Sequence, residues 1–319
     1  MRTIICLQKL SDKQQDFVRQ AAPDCRVVFA RTEAVEDPDY RDAEIICGWN
    51  DKIKEFSLGT EGKLKWLQSW SSGIDTLPLS SLEENGVLLT DASGVHARSV
   101  SESVIAMMLG LSRGIASAVR NQHEARWKIP SLLTEMNEST VAIIGAGQIG
   151  REVARLGRAF DMRIIAVRRS GGTMPEADET FDNSRLNEVL QAADYVINIL
   201  PLTNETKHLF DASRFAQMKS SAFFINVGRG ATVKTEDLMA ALSSGTIAGA
   251  GLDVFEQEPL ASDHPLWSLP NVILTPHIAG GSTERNRERL VQLFVTNLKL
   301  YLCGDSMSMH NLVDYRIQY

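Results

Sequence analysis

Three side chains in the second half of this 319-residue chain have types and settings suited to chemistry: Arg229 in NVGRG, Glu258 in FEQEP and His277 in TPHIAG. Each follows an apolar run. A guanidinium stays charged, grips a carboxylate bidentately and polarises an adjacent ketone. An imidazole gives up a proton near neutral pH, which suits delivery to a carbonyl oxygen. A carboxylate bonded to that imidazole fixes its tautomer and stabilises its cation. Upstream, GAGQIG supplies Gly145, Gly147 and Gly150 after the apolar run Thr140–Ile144. The first glycine permits a tight turn, the second admits a pyrophosphate to the backbone, and the third packs a new helix on the strand. Gln148 and Ile149 open that helix, whose free N–H groups and positive end face the phosphates. The set suits hydride transfer between a dinucleotide and a carbonyl that lies beside a carboxylate. Asp253, after another apolar run, is placed to meet the nicotinamide carboxamide.

An acidic residue about 20 positions beyond the glycine loop would hold the ribose 2′-hydroxyl of NAD. Arg168, Arg169 and Ser170 occupy that place instead. Two guanidinium groups and a hydroxyl suit a 2′-phosphate, so NADPH is the expected cofactor, with NAD possible.

These residues need a scaffold that gathers distant loops on one rim. Apolar runs at Thr3–Leu7, Arg26–Phe29, Ile45–Cys47, Lys65–Gln68 and Val87–Thr90 read as buried strands between helical stretches. Ser11 with Gln14 forms a capping box for the first helix. A long amphipathic helix is expected from about Val95 to His123. A second series of strands follows, at Thr140–Ile144, Arg163–Val167, Tyr195–Ile199, Ala222–Val227, Ala248–Leu252 and Val272–Leu274. A last helix runs from Ser282 to about Leu302. Alternating strands and helices predict parallel sheets covered on both faces, with ligands at the carboxyl ends of the strands.

Lys plus Arg is 33 and Asp plus Glu is 40, and the net charge of −7 argues against a broad nucleic-acid surface. The four cysteines form no CxxC pair and lie beside no histidine cluster. Neither a disulfide framework nor a metal site is expected, and a reducing cytoplasm fits. The N-terminus lacks the shape of a signal peptide, and no apolar stretch reaches the roughly 18 residues of a membrane span.

GAGQIG, Leu200-Pro201-Leu202 with Thr206, the NVGRG segment, Leu252-Asp253-Val254-Phe255 with Glu258-Pro259, and TPHIAG occur in that order. The chain thereby resembles the D-isomer-specific 2-hydroxyacid dehydrogenase family over nearly its whole length. The resemblance implies an α/β chain of two doubly wound parallel-sheet domains. A Rossmann nucleotide domain, residues 96–285, is inserted in a flavodoxin-like substrate domain, residues 1–95 plus 286–319. It implies catalytic roles for Arg229, Glu258 and His277. It also implies a cofactor site that includes Leu200, Pro201, Thr206, Val227, Gly228, Asp253, His277 and Gly280. The substrate carboxylate would meet backbone N–H groups at Ser72 and Gly73, near Trp49. Family members are usually homodimers, joined through the helix after Val95.

The chain departs from the family pattern at several points. Arg168 replaces the acidic residue of NAD-preferring members. Asp161 stands where many members have Gly, and His96 near a position that is often Asn. Glu258 is not the Gln of formate dehydrogenases, which disfavours formate oxidation. Trp49, Trp70 and Trp127 are candidate pocket walls, or else core and interface packing. The expected reaction is reduction of a small 2-keto acid to the D-2-hydroxy acid. Glyoxylate, hydroxypyruvate, pyruvate and somewhat larger 2-keto acids all remain open as substrates. A non-catalytic dinucleotide-sensing scaffold like the C-terminal-binding corepressors shares the fold. An NAD-linked enzyme like phosphoglycerate dehydrogenase is disfavoured by Arg168.

Overall fold

The computed structural model of the protein describes residues 1–30, 34–130, 133–169, 171–281 and 283–316. The N-terminal part holds β1 (Arg2–Cys6), α1 (Asp12–Ala21), β2 (Cys25–Phe29), α2 (Asp37–Asp42), β3 (Ala43–Cys47), β4 (Trp66–Gln68), α3 (Leu79–Glu84) and β5 (Leu88–Thr90). The Ser11–Gln14 capping box is formed in both directions and starts α1. All the ladders among β1 to β5 are parallel, and the order is β2-β1-β3-β4-β5. That is the flavodoxin-like order.

The middle of the chain opens with α4 (Ala97–Ser112) and α5 (Ile115–His123). Then come β6 (Thr140–Ile144), α6 (Gln148–Arg158), β7 (Arg163–Val167), β8 (Glu179–Phe181), α7 (Leu186–Ala192) and β9 (Tyr195–Asn198). The series ends with α8 (Ala212–Phe215), β10 (Phe223–Asn226), α9 (Thr235–Ser244), β11 (Gly249–Leu252) and β12 (Val272–Leu274). The second sheet is also parallel, in the order β12-β11-β10-β9-β6-β7-β8. Chain direction across the sheet reverses between β6 and β9, and such a switch point is where Rossmann sheets hold dinucleotides. The last helix, α10 (Glu284–Leu302), returns to the first sheet. Its Phe294, Val295 and Leu298 are buried with Ile4, Cys6, Phe29 and Trp66. The chain accordingly divides into two compact units, Met1–His96 with Ser282–Tyr319, and Ala97–Gly281.

Two details differ from the sequence expectation. The single helix expected from Val95 to His123 is two, α4 and α5, bent by 71°. Gly114 between them is left-handed at φ 62, which ends a helix. A Cβ at Gly114 would also come within 2.7 Å of Pro130. Strand β8 was not expected: it is a short, half-exposed edge strand without an apolar run. The start of the last helix at Ser282 lies outside the described residues, and α10 is capped by Thr283. Asp161 takes φ 52, the left-handed conformation that glycine favours.

Helix α4 buries Val100, Val104, Met107 and Met108 against its sheet, whereas α5 buries no residue. Ile115 and Val119 on α5 are exposed, as are Trp127 and Ile129 beyond it. Among the described residues no single helix is long and apolar enough to cross a membrane.

Candidate active site

The glycine loop joins β6 to α6. Gly145 is left-handed at φ 88, and a Cβ there would approach the Ile199 backbone to 3.0 Å. A Cβ on Gly150 would lie 3.0 Å from Ile143, so this glycine sets the packing of α6 on β6. Gly147, by contrast, faces open space, and a Cβ there would meet nothing closer than 4.0 Å. Gly147 caps α6, and Gln148 and Ile149 form its first turn. The first N–H groups of a helix have no partner within it, and its dipole favours anions there. The loop therefore fits a pyrophosphate. Arg168 and Arg169 follow β7. Arg168 Nη1 donates to the carbonyls of Gly172 and Thr173, each at 3.2 Å, which anchors it on its own loop. Ser170 lies outside the described residues. After β9, the Thr206 hydroxyl donates to the Pro201 carbonyl at 2.6 Å and fixes the Leu200–Pro201 turn.

Arg229 sits between two glycines that are both pressed against backbone. A Cβ on Gly228 would fall 2.6 Å from the Leu200 oxygen, and one on Gly230 only 1.8 Å from the Phe255 carbonyl. Only glycine lets the loops after β9, β10 and β11 close on one another. Val227 reaches the β9 edge through its N–H, which donates to the Asn198 carbonyl at 3.1 Å. The Arg229 guanidinium donates to the Gly228 carbonyl through Nη1 at 2.9 Å.

Glu258 and His277 meet at 2.7 Å, Oε2 to Nδ1. An ionised carboxylate only accepts, so Nδ1 carries hydrogen and Nε2 is the site that gains and loses a proton. The other oxygen of Glu258 accepts from the Phe255 N–H at 3.0 Å, which holds the carboxylate in place. His277 is left-handed at φ 52. Its N–H donates to the carbonyls of Asp253, at 2.8 Å, and Thr275.

Asp253 lies beneath the rim, 2 % exposed. One carboxylate oxygen accepts from the Thr275 hydroxyl at 2.5 Å and the Ile278 N–H at 2.9 Å, and the other from the Ala279 N–H at 2.9 Å. The sequence suggests a contact with nicotinamide for this residue. The structure shows that its two oxygens already organise the loop carrying His277 and Gly280.

A second histidine–carboxylate pair, His208 with Glu256 at 2.8 Å, was not foreseen. Burial pushes the Glu256 carboxyl up, but bonds from Thr235 and His208 outweigh it, and the group ends below its ordinary range. Its only sequence signal is that Glu256 stands two places before Glu258. Asn198, Asn226 and Thr232 are fully buried beneath the Arg229 loop and were also missed as site residues.

Arg229, Glu258, His277 and the glycine loop thus belong to one unit, at the carboxyl ends of one sheet. Trp49, Ser72 and Gly73 belong to the other unit, after β3 and β4. There the Ser72 hydroxyl donates to the Ala92 carbonyl at 3.1 Å, and the Gly73 N–H to the Ser71 hydroxyl at 3.2 Å. Trp49 and Trp70 pack against core clusters, whereas Trp127 is fully exposed.

The model of the D-isomer specific 2-hydroxyacid dehydrogenase family, NAD binding domain, matches residues 105–279. A glyoxylate/hydroxypyruvate reductase B of Citrobacter koseri is 40% identical over 306 residues, covering 93% of this chain and 93% of that protein. The chain belongs to the D-isomer specific 2-hydroxyacid dehydrogenase family. The crystal structure of a family protein from Aeromonas salmonicida matches with a TM-score of 0.85 at 32% identity, covering 98% and 99% of the two chains. An NADPH-dependent glyoxylate/hydroxypyruvate reductase from Sinorhizobium meliloti, in complex with NADP and sulfate, matches with a TM-score of 0.83. Its identity is 26%, and all of both chains is covered. This 2-hydroxyacid dehydrogenase is therefore an oxidoreductase with a Rossmann NAD(P)-binding domain.

Asp253→Asn tests the loop anchor of this dehydrogenase. An amide nitrogen cannot accept from the Ile278 or Ala279 N–H, so stability should fall by about 1–3 kcal/mol. The check is the urea midpoint, and an unchanged midpoint would show that the loop does not depend on this carboxylate.

Proposed function

We propose that the protein reduces a small 2-keto acid to the D-2-hydroxy acid with NADPH. The observation that carries this reading is the 2.7 Å contact of Glu258 with His277 on the rim that also holds Arg229. The first unit is the substrate domain, with Trp49 and the backbone of Ser72 and Gly73 as its substrate contacts. The second is the nucleotide domain. NADPH supplies the hydride when bound. Arg229 binds the substrate carboxylate and draws electron density from the ketone. His277 delivers the Nε2 proton to the carbonyl oxygen, and Glu258 stabilises the imidazolium that waits to do so. Arg168 and Arg169 meet the 2′-phosphate. The likeness to the NADPH-dependent Sinorhizobium reductase supports that preference, and the Citrobacter relative supports glyoxylate or hydroxypyruvate as substrate. The exposed Ile115, Val119 and Trp127 support a homodimer through α5 and the segment after it.

The deciding experiment follows nicotinamide oxidation, with NADPH and NADH in turn, over glyoxylate, hydroxypyruvate, pyruvate, 2-ketobutyrate and phenylpyruvate. Turnover is expected with NADPH, and Arg168→Asp should weaken NADPH more than NADH. Silence with both, in protein shown to bind NADPH, overturns the reductase reading and favours a sensing scaffold. Equal weakening of the two cofactors rejects the role of Arg168. Glu258→Gln should lower reductase turnover, because the imidazole loses the carboxylate that bonds its Nδ1 at 2.7 Å. Unchanged turnover would remove Glu258 from the proton-transfer step. Sedimentation should give twice the chain mass, and Val119→Asp should give a monomer. A monomeric parent protein would refute the interface.

A further inference from the structure

Beneath the Arg229 loop lies a buried polar chain whose members do not reach the rim. Asn198 ends β9 and Asn226 ends β10, and the two are paired in register. Asn198 and Thr232 are 0% exposed and Asn226 is 1% exposed. The Asn198 amide donates to Asn226 Oδ1 at 3.0 Å and to Thr232 Oγ1 at 2.7 Å, while its own oxygen accepts from the Leu200 N–H at 3.2 Å. Thr232 passes its hydroxyl proton to the Arg229 carbonyl at 2.6 Å. Asn226 accepts from the Gly228 N–H at 3.1 Å and donates to the Arg229 carbonyl at 3.4 Å.

The direction of every bond in this chain is determined. Two backbone N–H groups require the oxygen faces of the amides, so neither amide can be flipped. A hydroxyl has one hydrogen, and Thr232 gives it to Arg229, so its lone pair must receive Asn198. The surrounding strands are apolar, and buried amides and hydroxyls are unfavourable there unless fully bonded. Valine has the shape of Thr232 and would satisfy the apolar surroundings. The hydroxyl is instead spent on one atom, the carbonyl oxygen of Arg229. The N–H of the peptide group before Gly228 and the carbonyl of the peptide group after Arg229 are thus both held from below. Those two groups bracket the Gly228–Arg229 segment and so restrict the direction in which the Arg229 side chain leaves the backbone.

We propose that Thr232, seated on Asn198, is a positioning residue that aims Arg229 at the substrate carboxylate. The assignment rests on Arg229 being the carboxylate clamp of the reductase. A displacement of about 1 Å at such a group costs on the order of a hundredfold in rate.

The test compares Thr232→Val, which removes the hydroxyl, with Thr232→Ser, which keeps it, and uses Asn198→Ala as an independent break in the chain. With glyoxylate and saturating NADPH, Thr232→Val should lower kcat/KM roughly tenfold to a hundredfold, with Thr232→Ser near the parent. In an Arg229→Ala background the same Thr232→Val change should have little further effect, because the two act through one group. An equal loss in both backgrounds would show that Thr232 acts independently of Arg229 and would overturn the proposal. So would a loss confined to NADPH affinity, which would assign the chain to the cofactor loop. A second readout needs no turnover: the rate at which phenylglyoxal modifies Arg229, mapped by peptide mass. Thr232→Val and Asn198→Ala should change that rate severalfold, and Thr232→Ser should not. Unchanged labelling overturns the positioning role, whereas absent turnover in the parent overturns only the reductase reading.

Discussion

Strands β6, β9, β10 and β11 are buried along their whole length. The polar backbone at their carboxyl ends therefore has little water to turn to, yet each N–H and C=O must be bonded. That constraint shapes the rim. Side chains at or just past the strand ends supply the missing partners: Asn198 and Asn226 under the Arg229 loop, and Asp253 under the His277 loop. The groups proposed for chemistry thus stand on a layer of polar side chains that is as buried as the apolar core around it.

Glycine supplies the complementary condition. Gly228 lies against Leu200, and Gly230 lies against Phe255. Three successive strand ends are joined backbone to backbone, with Arg229 at the join. Glu258 follows Phe255 by three residues and accepts its N–H, so the same junction governs the carboxylate that meets His277. The charge pattern of the proposed reaction, a fixed cation beside a proton donor, is carried by positions that the backbone leaves little freedom to move. His208 and Glu256 brace the opposite side of that turn, through Thr235 at the head of α9.

Much of this is legible in the amino-acid sequence. The parallel sheets follow from runs such as Tyr195–Ile199 and Ala222–Val227, which are too short for helices and too apolar for loops. The rim residues could be named because they directly follow those runs. The break between α4 and α5 was masked because Gly114 interrupts an apolar pattern that resumes at Ile115. Strand β8 was hidden because an edge strand needs no apolar face. The layer beneath the rim was the least visible. Asn198 and Thr232 look like ordinary polar residues in one dimension, and only the packing of β9 on β10 shows that water is absent around them. The sequence suggests Asp253 for a nicotinamide contact, whereas its bonds to Ile278 and Ala279 span a sequence distance that no local pattern encodes.

The divided first unit also bears on how the chain is made. Its sheet is complete once Thr90 has been synthesised, but Phe294, Val295 and Leu298 are needed to cover Ile4, Phe29 and Trp66. The whole second unit emerges from the ribosome in the interval. Domains generally fold as they appear, N-terminal first, and exposed apolar surface invites misassembly. Here one face of the first sheet, with only Val18 and its neighbours on α1 against it, stays incompletely covered until the last helix arrives. The second unit, continuous in sequence, adds β9, β10, β11 and β12 one by one to an existing edge. The part of the protein that starts earliest is thus the part that finishes last, and its dependence on chaperones during synthesis should exceed that of its partner unit.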